Sequence, residues 1–205
     1  MFGQGLAMMS RFVALLIGTL ALASLRGHFD GMADGSAGEK LWLMAGYFTF
    51  LTNLGLAAMM FAVARGWRMP GGVAVALVVS TVMVGAVYHL LLAGLSHPVG
   101  PAWWANQGLH SAVPAAVVLW WWVFADKSAG WSDVGLALVW PGIYCGYALV
   151  RGYVTGFWPY PFLNGETLGV WRLGMNVLGL MAAFAGLAAA MVRVARSAGQ
   201  AVLIK

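Results

Sequence analysis

Polar residues that could do chemistry recur at helical spacing inside apolar sequence. They are Thr49, Thr52 and Asn53; Tyr88 and His89; Asn106 and His110; Tyr144, Tyr147 and Arg151; and Arg172 and Asn176. Asn106 and His110, like Arg172 and Asn176, are four apart and so share one helix face. A histidine titrates near neutrality and serves as a general base or a metal ligand. An arginine can grip a carboxylate or phosphate with two parallel hydrogen bonds. A threonine hydroxyl is a weak nucleophile that needs a neighbouring base. Each group also has a plainer use. Thr52 can bond its own helix backbone, His89 and His110 can be interhelical hydrogen-bond partners, and Arg151 and Arg172 can reach out to a membrane interface.

The elements that carry these residues must be membrane helices. The chain has 205 residues, 62% hydrophobic and 8% charged, with mean hydropathy +0.84. Soluble domains carry about 25% charged residues, so this chain could not cover a water-facing surface. No Asp, Glu, Lys or Arg occurs between Arg68 and Asp126. That length holds two spans of about 20 residues each, with Pro98 and Pro101 marking the turn. The pattern predicts an all-α polytopic membrane protein, a bundle of six transmembrane helices over about 7–26, 41–65, 71–95, 102–125, 134–155 and 168–193. It forms one domain, 1–205, and helices are required because backbone polar groups in lipid must be satisfied within the segment. The link 27–40, with Asp30, Asp34, Glu39 and several glycines, reads as a polar surface loop. The run 12–25 after Arg11 could also be a secretory leader ending at Ala21-Leu22-Ala23; the longer apolar stretch reads as a first span.

Charge sets the orientation. Arg11, Arg65, Arg68, Lys127, Arg193, Arg196 and Lys205 fall on the side of the termini. Arg26, Lys40, Arg151 and Arg172 fall on the other, completing the eleven basic residues. Both termini are therefore expected in the cytoplasm. The formal net charge of +5 is scattered and does not point to nucleic acid. Tryptophans at both predicted ends, such as Trp42, Trp103 and Trp158 outside and Trp67, Trp120 and Trp131 inside, fit interfacial belts. Cys145 is alone, so no disulfide framework or cysteine metal site is expected. Thr52, His110 and Asn176 lie roughly 12–17 Å in from the outer side at about 1.5 Å per residue. His89 and Arg151 sit near outer helix ends. The stripes predict one polar cavity in the outer half of the bundle, and Pro114 is expected to disturb the helix one turn after His110.

Three segments resemble a known family in order and spacing. They are Phe50-Leu51-Thr52, Asn106-Gln107-Gly108-Leu109-His110 followed by Pro114, and Gly-Phe-Trp-Pro-Tyr-Pro-Phe-Leu over 156–163. Over nearly its whole length the chain resembles the androgen-induced, FAR-type multi-pass membrane proteins. The Arg151-Gly152 pair and Tyr160-Pro161-Phe162 look closest to the bacterial branch. The resemblance implies an intramembrane threonine hydrolase of lipid esters, of which animal members cleave fatty acid esters of hydroxy fatty acids. It implies Thr52 as nucleophile, His110 as base, and a bacterial cytoplasmic membrane. Gln107 stands where animal members have histidine, and Asn53 follows Thr52 without a counterpart there.

In the implied cycle His110 takes the Thr52 proton, Thr52 attacks the ester carbonyl, and water later releases the acid. Candidates for oxyanion or substrate binding are Asn53, His89, Asn106, Arg151, Arg172, Asn176 and Tyr160. No carboxylate is placed to orient His110, so a Thr–His dyad is expected, with no cofactor or metal, and with membrane lipids and a lipid ester as the partners. Two non-enzymatic readings stand beside it. His89 and His110 could ligate a b-type haem, or Arg151 and Arg172 could hold an anionic lipid in a binder or transporter. A catalytic zinc would need a third ligand, for which only Asp30, Glu39 or Glu166 is at hand.

Overall fold

Apolar stretches of this length satisfy their backbone internally as helices. The computed structural model describes residues 2–203, with side chains over 4–198. It is 83% helix and has no strand among the described residues. Helix α1 covers Phe2–Asp30, α2 Ala37–Met44, α3 Phe48–Ala64 and α4 Gly71–Val87. Helix α4 runs on through a π turn, Tyr88–Leu92, and a 3₁₀ turn, Ala93–Leu95. Helix α5 covers Pro101–Gln107 and passes through a second π turn, Gly108–Ala112, into α6, Val113–Phe124. Helix α7 covers Asp133–Thr155 and α8 covers Gly165–Leu203.

Four helical stretches are long and apolar enough to cross a membrane: Gln4–Asp30, Gly71–Leu95, Asp133–Thr155 and Gly165–Ala198. A fifth is formed if the bent pair α2 and α3 counts as one span. The surface agrees, since Phe12, Leu90, Val154, Val170 and Trp171 are all more than half exposed. A water-soluble monomer does not leave so much large apolar surface uncovered. The α5–α6 run falls outside that set, and its first half carries Asn106, Gln107, His110 and Ser111, which lower its hydropathy.

Helix α4 is the central pillar. Val75, Val78, Val79, Thr81 and Val84 are buried on it, and α3, α6, α7 and α8 all pack against it. Helix α1 closes the other side against α3, α5 and α6. Its buried Ala14, Ile17, Ala21 and Leu25 repeat at the spacing of one helix face, so the 12–25 run is an integral part of the bundle core.

The structure alters three expected elements. The 27–40 link is mostly helical: α1 continues to Asp30, and α2 opens at a capping box. There the Ser36 hydroxyl accepts the Glu39 N–H and the Glu39 carboxylate accepts the Ser36 N–H at 2.7 Å, which satisfies two otherwise orphaned donors. The helix expected over 41–65 is broken between α2 and α3 by a 95° bend. The break is at Gly46, where a Cβ would lie 2.4 Å from the Phe157 ring. The helix expected over 102–125 is two α-helical pieces joined by a π turn. Pro114 follows that turn and cannot donate to the His110 carbonyl four residues back. That carbonyl points at Gly85, where a Cβ would stand 2.7 Å away.

Candidate functional site

The bend puts the N-terminus of α3 inside the protein rather than at its rim. The first backbone hydrogen bond back into the turn is Leu51 N–H to the Tyr47 carbonyl, at 3.3 Å. Three N–H groups ahead of it have no helical acceptor. The Phe48 N–H donates to the Tyr160 hydroxyl at 3.0 Å. Those of Thr49 and Phe50 face the same end of the helix, where its dipole is positive.

Thr49 stands on this first turn, and its Oγ1 lies 3.3 Å from His110 Nε2. His110 Nδ1 lies 3.0 Å from the backbone carbonyl of Asn106. A carbonyl can only accept, so Nδ1 carries the proton and Nε2 is left to accept from the threonine hydroxyl. The imidazole stacks on Tyr88, with centroids 4.0 Å apart and planes 22° apart. Tyr88 is fixed in turn by the Asn106 amide, which donates to its hydroxyl at 2.6 Å. His110 is thus oriented by a carbonyl, a stacked ring and a π turn, without a carboxylate.

A cavity of about 440 Å³ opens onto this pair. Its lining joins Thr49, Phe50, Tyr88, Asn106, His110 and Tyr160 to apolar residues such as Leu25, Met44 and Leu109. A smaller apolar chamber of about 60 Å³ lies on the other side of Thr49, bounded by Phe48, Val84, Tyr144 and Phe184 among others. Thr49, Leu92 and Tyr160 belong to both walls.

The threonine that the structure brings to His110 is Thr49, and Thr52, expected there from the sequence, lies elsewhere. Thr52 is buried and its hydroxyl accepts the Trp140 indole N–H at 2.9 Å. It faces a separate apolar groove with Leu51, Gly55 and Ile143. Three residues of an α-helix leave the two side chains about 60° apart around the axis, and across that angle Thr49 lines the cavity and Thr52 the separate groove. Asn53 donates to the Thr49 carbonyl at 2.9 Å, within its own helix, and lines neither cavity.

The remaining candidates divide. Asn106 and Tyr160 stand at the site. His89 is exposed, with Nε2 2.9 Å from the Ser111 hydroxyl, which donates to Gln107 Oε1 at 2.8 Å. The Tyr88 ring packs edge-on against His89 and face-on against His110. The two imidazoles turn their Nε2 atoms to separate hydroxyls, His89 to Ser111 and His110 to Thr49. Arg172 is exposed on α8. Asn176 donates to the Phe162 carbonyl at 2.9 Å and pins the 3₁₀ turn Pro161–Leu163. Among the described residues no three His, Cys, Asp or Glu side chains converge.

Arg151 is engaged in the bend and does not reach the cavity. It is 5% exposed. It donates to the Trp42 carbonyl at 2.7 Å and to the Tyr147 hydroxyl at 2.9 Å. Its guanidinium lies 4.1 Å from the Trp42 ring centre and 4.5 Å from that of Phe157. Tyr147 donates to the Ala45 carbonyl and Tyr144 to that of Gly46. One face of α7 therefore satisfies three carbonyls that the bend leaves without helical partners. A buried carbonyl left unpaired costs about 1–3 kcal/mol, and these three donors offset that cost.

Thr49 was within the polar stripe legible in the sequence, but nothing singled it out. The signal that could have done so is the Gly46-Tyr47 pair just ahead of it, a glycine at a possible helix break. Comparison of the chain with protein-family models, with curated proteins and with solved structures finds no match.

Proposed function

We propose that this chain is a six-span membrane hydrolase of lipid esters, with Thr49 as nucleophile and His110 as its base. The reading counts α2–α3 and α5–α6 as one crossing each. It places the Thr49 end of the bundle toward the outer face, opposite the more basic, cytoplasmic end. The observation that carries it is the contact between Thr49 Oγ1 and a histidine nitrogen whose ring partner fixes it as an acceptor. A nucleophile, a base and a group orienting the base are the minimum for covalent acyl transfer.

In the cycle His110 Nε2 removes the hydroxyl proton as Thr49 Oγ1 attacks the ester carbonyl. The tetrahedral intermediate collapses, the carbon–oxygen bond to the alcohol breaks, and the alcohol leaves with the proton from His110. A water then attacks the acyl-threonine with His110 again as base, releasing the acid and restoring the hydroxyl. The N–H groups of Thr49 and Phe50 at the α3 N-terminus supply donors for the oxyanion. Tyr160, which accepts the Phe48 N–H, stands beside them. The two chambers meeting at Thr49 suit a substrate with an apolar portion on either side of one ester bond.

The test is turnover of a long-chain lipid ester by purified protein in detergent. Wild type, Thr49→Ala, Thr52→Ala and His110→Ala are compared, with the mass of the protein after a covalent acylating probe. Thr49→Ala and His110→Ala are expected to lose about 10³-fold or more in kcat, and the adduct maps to Thr49. Thr52→Ala keeps activity within about threefold, since it loses only a packing hydrogen bond. Loss in Thr52→Ala with retention in Thr49→Ala would overturn the assignment.

A further inference from the structure

The opposite end of the bundle carries a second polar recess, about 550 Å³ in volume, between the first turns of α1, the end of α3 and the end of α6. Arg11 and Arg68 border it, together with Ser10, Trp67, Trp120 and Asp126. Gly66, which ends α3 with a φ of +104°, leaves room for Arg11 to lie over the helix end: a Cβ there would be 3.0 Å from the guanidinium. Trp120 is buried and donates its indole N–H to the Ser10 hydroxyl at 3.2 Å, which fixes one wall.

The charge of this recess is only partly compensated, with two arginines against one aspartate in its lining. Neither Arg11 nor Arg68 makes an ion pair or a side-chain hydrogen bond among the described residues, where the ion pair found is Arg26–Asp30. The one acid in the lining, Asp126, is held by Ser128, accepting its N–H at 2.9 Å and its hydroxyl at 2.6 Å, and makes no ion pair with either arginine. Two free guanidinium groups beside one depression select a phosphate-type anion. The floor is apolar, with Leu6, Val63 and Phe124, and Leu6 and Phe12 on α1 are more than half exposed. An anion attached to hydrocarbon would satisfy both parts.

We infer that this recess binds the headgroup of an anionic phospholipid, its phosphate between Arg11 and Arg68 and its chains along the outer face of α1. The exposed indole of Trp67 sets the depth of the headgroup at the interface. The cytoplasmic leaflet, toward which the basic end is proposed to face, is where anionic lipids concentrate.

The experiment is native mass spectrometry of the full-length protein in detergent, with phosphatidylglycerol or phosphatidylcholine of identical chains. Wild type is expected to retain phosphatidylglycerol roughly tenfold better than phosphatidylcholine, and Arg11→Gln/Arg68→Gln to lose that preference. Arg172→Gln, at the other end of the bundle, keeps it. Arg68→Gln alone is the second variant should the double one unfold, and a partial loss of preference is expected from it. Equal retention of the two lipids by wild type, or an unchanged preference in the Arg11/Arg68 variants, overturns the inference. Displacement of phosphatidylglycerol by millimolar inorganic phosphate overturns it too, in favour of a site for a small free anion.

Discussion

Arg151→Met separates two roles for the one arginine buried among the spans. The side chain donates to the Trp42 carbonyl and the Tyr147 hydroxyl and lies over two aromatic rings. A hydrogen bond to a charged group contributes about 1.5–3 kcal/mol, and a desolvated cation–π contact about 1–2 kcal/mol. Against this stands the cost of keeping a guanidinium out of water, several kcal/mol, which methionine removes. The Trp42 carbonyl, left unpaired, adds about 1–3 kcal/mol back. The balance is a loss of about 3 kcal/mol, and for a chain of this size that lowers Tm by about 6–12 °C. The assay is thermal unfolding in detergent, followed by turnover of two esters alike except that one carries a free carboxylate. If Arg151 holds the bend, Tm falls and both substrates suffer alike. An unchanged Tm with KM raised for the carboxylate ester alone would refute this reasoning and return Arg151 to substrate binding.

Two further substitutions test the supports of His110. In Gly85→Ala the new methyl meets the His110 carbonyl at 2.7 Å, so the π turn must shift. A stability loss of about 1–3 kcal/mol and a fall in kcat of about tenfold or more are expected from unfolding and turnover curves, and unchanged kcat would show that the histidine does not depend on this approach. Asn106→Leu removes the donor to Tyr88 while leaving the carbonyl that holds Nδ1. It should cost about 1–2 kcal/mol and lower kcat without raising KM, whereas Gln107→Leu, which touches only the Ser111–His89 chain, should leave kcat as it was.

The helical character and the placement of polar groups near one end were legible in composition and spacing, because lipid permits few ways of satisfying a backbone. Asn106 and His110 were correctly read as one face, and the structure puts both at the cavity. Helix continuity was not legible. A hydropathy profile runs straight through Gly46, and its dip at 106–111 marks polar residues and no change of helix type, yet there the chain bends by 95° and widens into a π turn. The reason for the bend lies far along the sequence, in Tyr144, Tyr147 and Arg151, which supply donors to the broken backbone. Spacing shows that these three share a face of α7 but not whether they address a cavity or a neighbour's carbonyls. Spacing likewise leaves open which threonine turns toward His110, since the direction of the bend decides it.

The two π turns face each other, one on α4 with Tyr88 and His89, the other between α5 and α6 with His110. Each holds one residue more than the α turn it replaces, and one residue is worth about 100° of rotation about the helix axis. Each helix therefore has two angular phases. Below the turn, the apolar pattern faces core and lipid as any span does; beyond it, the side chains are rotated onto the stacked rings. Removing a single residue at Ala112 would restore continuous α geometry and swing the 101–110 segment by that angle relative to α6. Every side chain would be kept but one alanine, and His110 would leave Tyr88 and Thr49 together. The site is in this sense a frame-dependent object: it is written in the count of residues along two helices as much as in their identities.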